Sequence, residues 1–140
     1  RIHDEDVLDH VSGLGRIGEV NACDLHSFAE FVKKSLRADY VVVGDAGRPV
    51  KRVAVCGGAG SDLIQLALEQ GADTLVTGDV KYHSAQQAVF GGLNIIDAGH
   101  QATELPVLDY LADRLSLRFT EKNWCVNLKV ANESLLLKHL

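Results

Sequence analysis

The sequence contains no methionine, and its three cysteines, Cys23, Cys56 and Cys125, are far apart. A disulfide framework needs paired cysteines and a zinc knuckle needs closely spaced ones, so this set argues against both. We therefore interpret the cysteines as reduced thiols of a cytoplasmic protein.

A primary translation product starts with methionine, whereas this chain starts at Arg1. We therefore expect the chain to be a processed or excised piece of a longer protein.

The sequence also lacks long apolar runs and clusters of basic residues. No run is long enough to span a membrane, and the chain has no recognisable signal peptide. The formal net charge is −5 at pH 7, and the only basic pairs are Lys33-Lys34 and Lys51-Arg52. Because electrostatically driven binding to nucleic acid needs a basic surface, neither a membrane nor a nucleic acid is the expected partner.

The residues that are present suit one folded domain over residues 1–140. The hydrophobic fraction is 46% and the charged fraction is 24%, as in ordinary soluble globular domains. A chain of this size buries about 70% of its unfolded surface, which is enough for a core. No internal repeat or low-complexity linker divides the sequence.

Three strand–loop–helix units follow one another between residues 53 and 115. Their strands are predicted at Val53–Cys56, Thr74–Thr77 and Leu93–Ile96, where the residues are almost continuously apolar. Consecutive units of this kind give neighbouring parallel strands with right-handed crossovers. The predicted fold is therefore α/β, with a mostly parallel sheet, helices on both faces (three layers, α/β/α) and one or more antiparallel edge strands.

Other segments have patterns of their own. Gly13, Gly15 and Gly18 predict a loop that leads into an extended segment with close backbone approach. The remaining elements predicted before the third unit are a helix over Asp24–Leu36, a strand over Tyr40–Val43, a turn over Asp45–Pro49, a helix over Asp62–Gln70 and a helix ending near Phe90.

The helix of the third unit is predicted to begin at Thr103. Pro106 is tolerated only in the first turn of a helix, and threonine is a good N-cap. The leucines at helical spacing, which are predicted to form the buried stripe of this helix, are Leu105, Leu108, Leu111 and Leu115.

The two ends of the chain have weaker patterns. Leu117–Phe119 is predicted as a short strand, and Asn123–Val130 alternates like a half-buried, antiparallel or edge strand. Arg1–Val11 fits either a tail or a short helix, and Ser134–Leu140 fits either a closing helix or a flexible end.

Loops that follow parallel strands emerge at one edge of the sheet, where open α/β sheets bind their ligands. His100 and Glu104 lie at such a strand-to-helix junction and are candidate metal ligands, although a capping or core-edge role is commoner for a histidine on residue type alone. Asp79 and His83 follow the preceding strand; taken alone, they fit a helix cap and a surface residue. The polar residues that this edge should gather are Asp79, His83, Asp97, His100 and Glu104, together with the glycine-rich loop.

The glycine-rich loop admits two interpretations. Backbone N–H groups at the start of a helix can hold an anion, which would make Gly57, Gly58, Gly60 and Ser61 a nucleotide-phosphate site. Alternatively, the glycines permit a tight strand-to-helix turn. The spacing matches neither the Walker motif nor the dinucleotide fingerprint.

Five ordered motifs resemble the C-terminal part of the Nif-three-like proteins, which are often labelled GTP cyclohydrolase 1 type 2. The resemblance covers about residues 13–119, whereas the tail from Thr120 onward carries no motif of this family. The segments that resemble the family are Gly15–Glu19, Val53–Ser61, Gly71–Asp73, Thr77–His83 and Ile96–Glu104.

This resemblance implies a dinuclear centre of divalent metal ions (zinc, manganese or iron) in an α/β protein that assembles as a ring, typically a hexamer. The family's C-terminal metal ligands correspond to His100 and Glu104, and Asp79 and His83 would lie near the centre. The family's other ligands come from an N-terminal domain and include an adjacent histidine pair. This chain has no adjacent histidines and no methionine. Given the resemblance, we expect it to be the C-terminal part of a longer protein and to carry only part of the metal site.

Two functional hypotheses follow from the sequence. The first is a metal-dependent hydrolase similar to GTP cyclohydrolase 1 type 2, in which His83 or Asp79 relays protons and a nucleotide substrate rests on the glycine-rich loop. The second is a non-enzymatic protein in which the same ligands bind metal to stabilise an assembly or to regulate a partner.

Overall fold

The computed structural model describes residues 13–131, so Arg1–Val11 and Ser134–Leu140 lie outside the described residues. The described part forms a five-stranded sheet with helices on both of its faces. None of the helices within it is long and apolar enough to cross a membrane. The elements are β1 (Arg16–Cys23), α1 (Leu25–Leu36), β2 (Val42–Gly44), β3 (Val50–Ala59), a 3₁₀ turn (Ser61–Leu63), α2 (Ile64–Glu69), β4 (Thr74–Gly78), α3 (Tyr82–Phe90), β5 (Asn94–Asp97), α4 (His100–Glu104) and α5 (Pro106–Glu121).

The strand order across the sheet is β1-β3-β4-β5-β2. The three central strands are parallel, with Val76 of β4 opposite Val55 of β3 and Ile96 of β5. The outer strands β1 and β2 are both antiparallel to their neighbours β3 and β5. The predicted α/β fold, with parallel central strands and antiparallel edges, is therefore confirmed.

Two apolar cores lie on opposite faces of this sheet. Neighbouring residues along a strand point to opposite faces, so Ile95 and Ile96 belong to different cores. This explains why the central strands are almost continuously apolar: both of their faces are covered. Burying one such side chain contributes about 1.5–3 kcal/mol. The core under α1 contains Leu25, Ala29, Val32, Val50, Val53, Val76, Ile96 and Ala98; the core under α2 and α3 contains Ala54, Ile64, Ala67, Ala72, Leu75, Ala88, Leu93 and Ile95.

The elements before β3 form largely where the sequence predicts them. The side chain of Asp24 caps α1 by accepting a hydrogen bond from the Ser27 N–H at 2.9 Å, and this bond lowers the pKa of the Asp24 carboxyl. Gly15 approaches β3 so closely that a Cβ there would lie 2.8 Å from the Val55 carbonyl oxygen. The strand predicted at Tyr40–Val43 is shifted and forms as β2.

The predicted start of the third helix is wrong. Thr103 lies inside α4, which is preceded by Gly99, and Pro106 opens a separate helix, α5. Pro106 is in the first turn of a helix, as predicted, but that helix is α5. The short helix α4 has already ended at Glu104. The Thr103 hydroxyl lies 2.9 Å from the Gly99 carbonyl and 2.8 Å from the His100 carbonyl, inside its own helix, instead of capping a new one.

The predicted burial of the leucine stripe is also not observed. The helix α5 has no buried residue, and Leu105, Leu108 and Leu111 are 43%, 36% and 48% exposed. Helical periodicity identifies the apolar face of a helix but not what covers that face. Within residues 13–131, no element buries it.

The two strands predicted after residue 116 are absent from the described residues. Leu117–Phe119 lies within α5, and Asn123–Val130 belongs to no strand. The helix ends in a reversal at Asn123, whose φ is 54°, and the Trp124 N–H donates to the Phe119 carbonyl at 2.8 Å. The alternating segment therefore starts beside α5, where no strand offers it unpaired N–H and C=O groups.

Candidate metal centre

Asp97, at the end of β5, joins the two loops that carry the candidate site. Its Oδ2 accepts from the Val80 N–H at 2.8 Å, and its Oδ1 accepts from the Gly99 N–H at 2.9 Å. Each carboxylate oxygen therefore accepts a hydrogen bond from a backbone N–H, one from the loop after β4 and one from the loop after β5. This holds the two loops together at the edge of the sheet.

Close backbone packing reinforces this junction at Gly78, the last residue of β4. A Cβ at Gly78 would lie 2.6 Å from the His100 nitrogen and 2.6 Å from the Gly99 carbonyl carbon. Only a residue without a side chain fits such an approach. Asp79, the next residue, is therefore brought directly to the start of α4.

Three of the predicted site residues meet at this point. His100 Nδ1 lies 2.7 Å from Asp79 Oδ2, and His100 Nε2 lies 3.3 Å from Glu104 Oε1. His100 and Glu104 are four residues apart on α4, which places them on one face of the helix. All three side chains are about half exposed, at 47%, 59% and 56% for His100, Asp79 and Glu104.

The two carboxylates favour the charged form of the imidazole. The hydrogen bond to Asp79 is the larger cause and the negative charge of Glu104 is the second, and together they raise the pKa of His100 above 6.5. A carboxylate on one ring nitrogen with a ligating second nitrogen is the arrangement typical of metal-binding histidines.

Gly58 lies against the same pair of atoms. Its N–H donates to Thr103 Oγ1 at 2.9 Å, and its carbonyl accepts from Thr77 Oγ1 at 3.0 Å. Its φ is +67°, and a Cβ there would lie 2.7 Å from Glu104 Oε1 and 3.1 Å from His100 Nε2. Glycine therefore leaves open a space beside both side chains.

The donor atoms around that space fit one side of a metal site. An imidazole nitrogen and a carboxylate oxygen suit zinc, manganese and iron. A catalytic zinc ion usually needs three protein ligands, and within residues 13–131 no group of three or more histidines, cysteines and carboxylates is arranged to hold an ion. Each oxygen of Asp97 accepts one backbone hydrogen bond, and Asp97 belongs to no such group among the described residues.

His83 is not brought into this cluster. It is exposed at the start of α3, and its ring packs edge-on against Tyr82 with a centroid distance of 5.9 Å. Among the described residues, no hydrogen bond or ion pair joins His83 to Asp79, His100 or Glu104.

The other residues of the glycine-rich loop have local packing roles. A Cβ at Gly57 would lie 3.0 Å from the Thr103 carbonyl oxygen, and one at Gly60 would lie 2.9 Å from Cys56 Cβ. The Ser61 hydroxyl oxygen is buried without a hydrogen-bond partner in the described part of the chain. The predicted loop is shorter than expected, because Gly57 and Gly58 lie within β3 and only Gly60 and Ser61 lie where the strand passes into the 3₁₀ turn. A bound phosphate stays a prediction.

Sequence reasoning missed the two threonines that hold the Gly58 peptide. Thr77 is fully buried at the end of β4, and the signal that could have found it is a hydroxyl at the end of an apolar strand. The sequence predicts Thr103 as the N-cap of a helix, and that prediction does not indicate its hydrogen bond with the Gly58 N–H.

An apolar groove of about 750 Å³ begins beside Glu104. One wall is the leucine-rich face of α5, and the other is the extended segment 128–131. Of the two candidate metal ligands, Glu104 lines this groove, so an apolar group in the groove would lie next to its carboxylate.

Several known proteins are similar to this chain. A "GTP cyclohydrolase 1 type 2 homolog" of Bacillus subtilis is 41% identical over 121 residues, which is 85% of this chain and 32% of that protein. A homolog with the same description from Streptococcus pneumoniae is 36% identical over 121 residues, or 83% of this chain and 45% of that protein. The chain therefore spans about a third to a half of the length of these curated relatives.

Solved structures are similar as well. A Bacillus cereus protein related to NIF3 aligns with a TM-score of 0.79 at 34% identity, over 90% of this chain and 36% of that chain. A Staphylococcus aureus protein aligns with a TM-score of 0.82 at 30% identity, over 91% and 42%. The family profile described as Duf34/NIF3 (NGG1p interacting factor 3) matches residues 1–134, and this chain therefore belongs to the Duf34/NIF3 family.

Proposed function

We propose that this chain supplies one side of a dinuclear divalent-metal site in a metal-dependent hydrolase similar to GTP cyclohydrolase 1 type 2. The observation that supports this most directly is the convergence of His100 Nε2 and Glu104 Oε1, 3.3 Å apart, beside the space left by Gly58. The remaining ligands would come from outside residues 13–131. Zinc, manganese and iron all suit this pair of donors.

Two adjacent divalent ions would lower the pKa of a bound water and hold the oxygens of a hydrolytic reaction. GTP is the proposed substrate because the curated relatives are described as GTP cyclohydrolase 1 type 2 homologs. Its phosphates would approach Gly57, Gly58, Gly60 and Ser61. His83 stays a candidate proton relay, and its exposed side chain at the start of α3 is open to solvent.

The experiment is a GTP ring-opening assay with zinc, manganese or iron added to metal-free protein that contains the complete proposed dinuclear site, and not to the 140-residue chain alone. We expect metal-dependent turnover that is lost in His100→Ala and in Glu104→Gln. The matched control is Glu69→Gln, which removes an exposed carboxylate at the end of α2. Metal binding without turnover would contradict the hydrolase and favour the second hypothesis, a metal-binding regulatory or scaffold protein.

The same proposal includes a cytoplasmic homo-oligomer. The described cysteines Cys23, Cys56 and Cys125 are all free thiols, as expected in a reducing compartment. The exposed leucine-rich face of α5 supports self-association, because large apolar surfaces on soluble proteins usually mark interaction sites.

A further inference from the structure

We infer that Asp79 is a positioning residue that holds the proton of His100 on Nδ1 and turns its Nε2 towards Glu104. The inference rests on the proposed function in one respect, namely that His100 is a metal ligand. Its core is a statement about ring orientation and tautomer, and this can be measured without metal.

The first argument is the geometry of the imidazole. The two ring nitrogens point in different directions, and each of them faces a different carboxylate: Nδ1 faces Asp79 at 2.7 Å and Nε2 faces Glu104 at 3.3 Å. An ion held by Nε2 and Glu104 would therefore be on the other side of the ring from Asp79. In this arrangement Asp79 is a partner of the ligand and not a third ligand.

The second argument is hydrogen-bond chemistry. A neutral imidazole carries one proton, and the nitrogen that keeps it is set by the acceptor it meets. The shorter contact, to Asp79, favours the proton on Nδ1. The lone pair of Nε2 is then directed to the side of Glu104, where a metal ion can accept it.

The third argument is that the backbone on both sides of Asp79 is fixed. Asp79 lies between Gly78, whose backbone packs against His100, and Val80, whose N–H is held by Asp97. Its own φ is 55°, a left-handed conformation that is uncommon for residues other than glycine. Both neighbours are therefore fixed to the segment that carries His100. This keeps the Asp79 carboxylate close to His100 Nδ1.

The left-handed backbone also decides which substitutions are useful. Glycine and asparagine adopt this conformation readily, whereas alanine would add strain. Asp79→Gly removes the acceptor without forcing the backbone, and Asp79→Asn keeps an acceptor of similar size. The control is Asp113→Asn, which removes the same charge from an exposed position on α5.

The experiment is ¹⁵N NMR of the histidine rings of the metal-free chain at alkaline pH, where His100 is neutral, followed by titration with zinc. We expect the proton on Nδ1 in the unaltered chain. Asp79→Gly should shift the population towards the Nε2–H tautomer and weaken zinc binding about 10- to 100-fold. Asp79→Asn should be intermediate, and Asp113→Asn should be unchanged.

The outcomes separate the inference from the proposed function. A proton on Nε2 in the unaltered chain, or a tautomer that Asp79→Gly leaves unchanged, would overturn the inference whatever the zinc affinity. If Asp79→Gly does not fold, an unchanged tautomer and unchanged zinc affinity in Asp79→Asn would have the same meaning, since the amide is a weaker acceptor. A tautomer that responds as expected, with zinc binding that His100→Ala does not affect, would support the inference and contradict the metal role of His100.

Discussion

At the scale of single residues, the protonation of His100 should be visible as a pH-dependent stability. Because its pKa is raised in the folded state by Asp79 and then by Glu104, the charged ring stabilises the fold. This contribution is fully present below the pKa of the unfolded chain, about 6.5, and is lost as the pH rises through the folded pKa.

The corresponding variant is His100→Gln, measured by urea unfolding at mildly acidic and at alkaline pH. It should lose more stability, relative to the unaltered chain, at the acidic pH than at the alkaline pH. In an Asp79→Gly background the difference between the two pH values should shrink. A stability loss that is larger at alkaline pH would contradict the sign of the pKa shift.

Gly58 offers a second prediction at this scale, with Gly47 as a matched control. Both have a positive φ, +67° and +71°, but a Cβ at Gly47 meets nothing within 4 Å. Gly58→Ala and Gly47→Ala should each cost about 1–2 kcal/mol from left-handed strain. Only Gly58→Ala should also displace Glu104 and weaken metal binding. Equal effects on metal binding would show that the space beside Gly58 is not used.

The residues of the candidate centre were predictable to different degrees. Asp79, His100 and Glu104 could be expected at one edge, because parallel strands bring their following loops together. His83 follows the same strand as Asp79, yet it lies outside the cluster of contacts. Sequence order sets the loop to which a residue belongs but not the direction of its side chain, and the sequence does not indicate that Asp79 has a φ of 55°.

At the scale of elements, the junction of β4 with α4 should depend on Gly78. Gly78→Ala would push a methyl group against the backbone of Gly99 and His100, which cannot move aside as a side-chain tip can. We expect the free energy of unfolding to fall by about 1–3 kcal/mol, the usual cost of overpacking. The control is Gly18→Ala in β1, where a Cβ meets nothing within 4 Å, and its change in unfolding free energy should be small. Similar losses in both variants would contradict close packing as the reason for glycine.

Predictability also differed among the elements. The three central strands were predictable because burial on both faces leaves a continuous apolar pattern. The helix α5 was predictable as a helix from its period, but its exposure was not, because a period does not identify the covering partner. Asn123–Val130 alternates like a strand, yet it pairs with none of the described strands, and pairing is not encoded in one segment alone.

At the scale of the whole molecule, the exposed face of α5 predicts self-association. Leu111 and Leu117 are 48% and 60% exposed, and apolar surface of this kind is stabilised by burial. Sedimentation at tens of micromolar should show an oligomer that Leu111→Glu weakens. Phe90→Glu, at an exposed apolar position on α3, is the control. Monomeric behaviour of the unaltered chain would contradict the prediction.

The metal affinity of the chain on its own is the second prediction at this scale. His100 and Glu104 would supply two ligands, Asp79 faces the other ring nitrogen, and within residues 13–131 no group of three or more possible ligands is arranged to hold an ion. Because a catalytic zinc ion usually takes three protein ligands, we expect the 140-residue chain to bind zinc or manganese weakly, with a single site.

Isothermal titration checks this coordination argument directly. In the charged form of His100 a proton occupies Nε2 and competes with the metal ion for that nitrogen, so the weak binding should strengthen as the pH rises through the pKa of His100. His100→Ala should abolish it, and Asp113→Asn should leave it unchanged. Two tight sites on the chain alone, both lost in His100→Ala, would contradict the prediction that this chain carries only part of the metal site. The further ligands would then have to be His83, a histidine outside residues 13–131 such as His3 or His10, or residues of a neighbouring subunit.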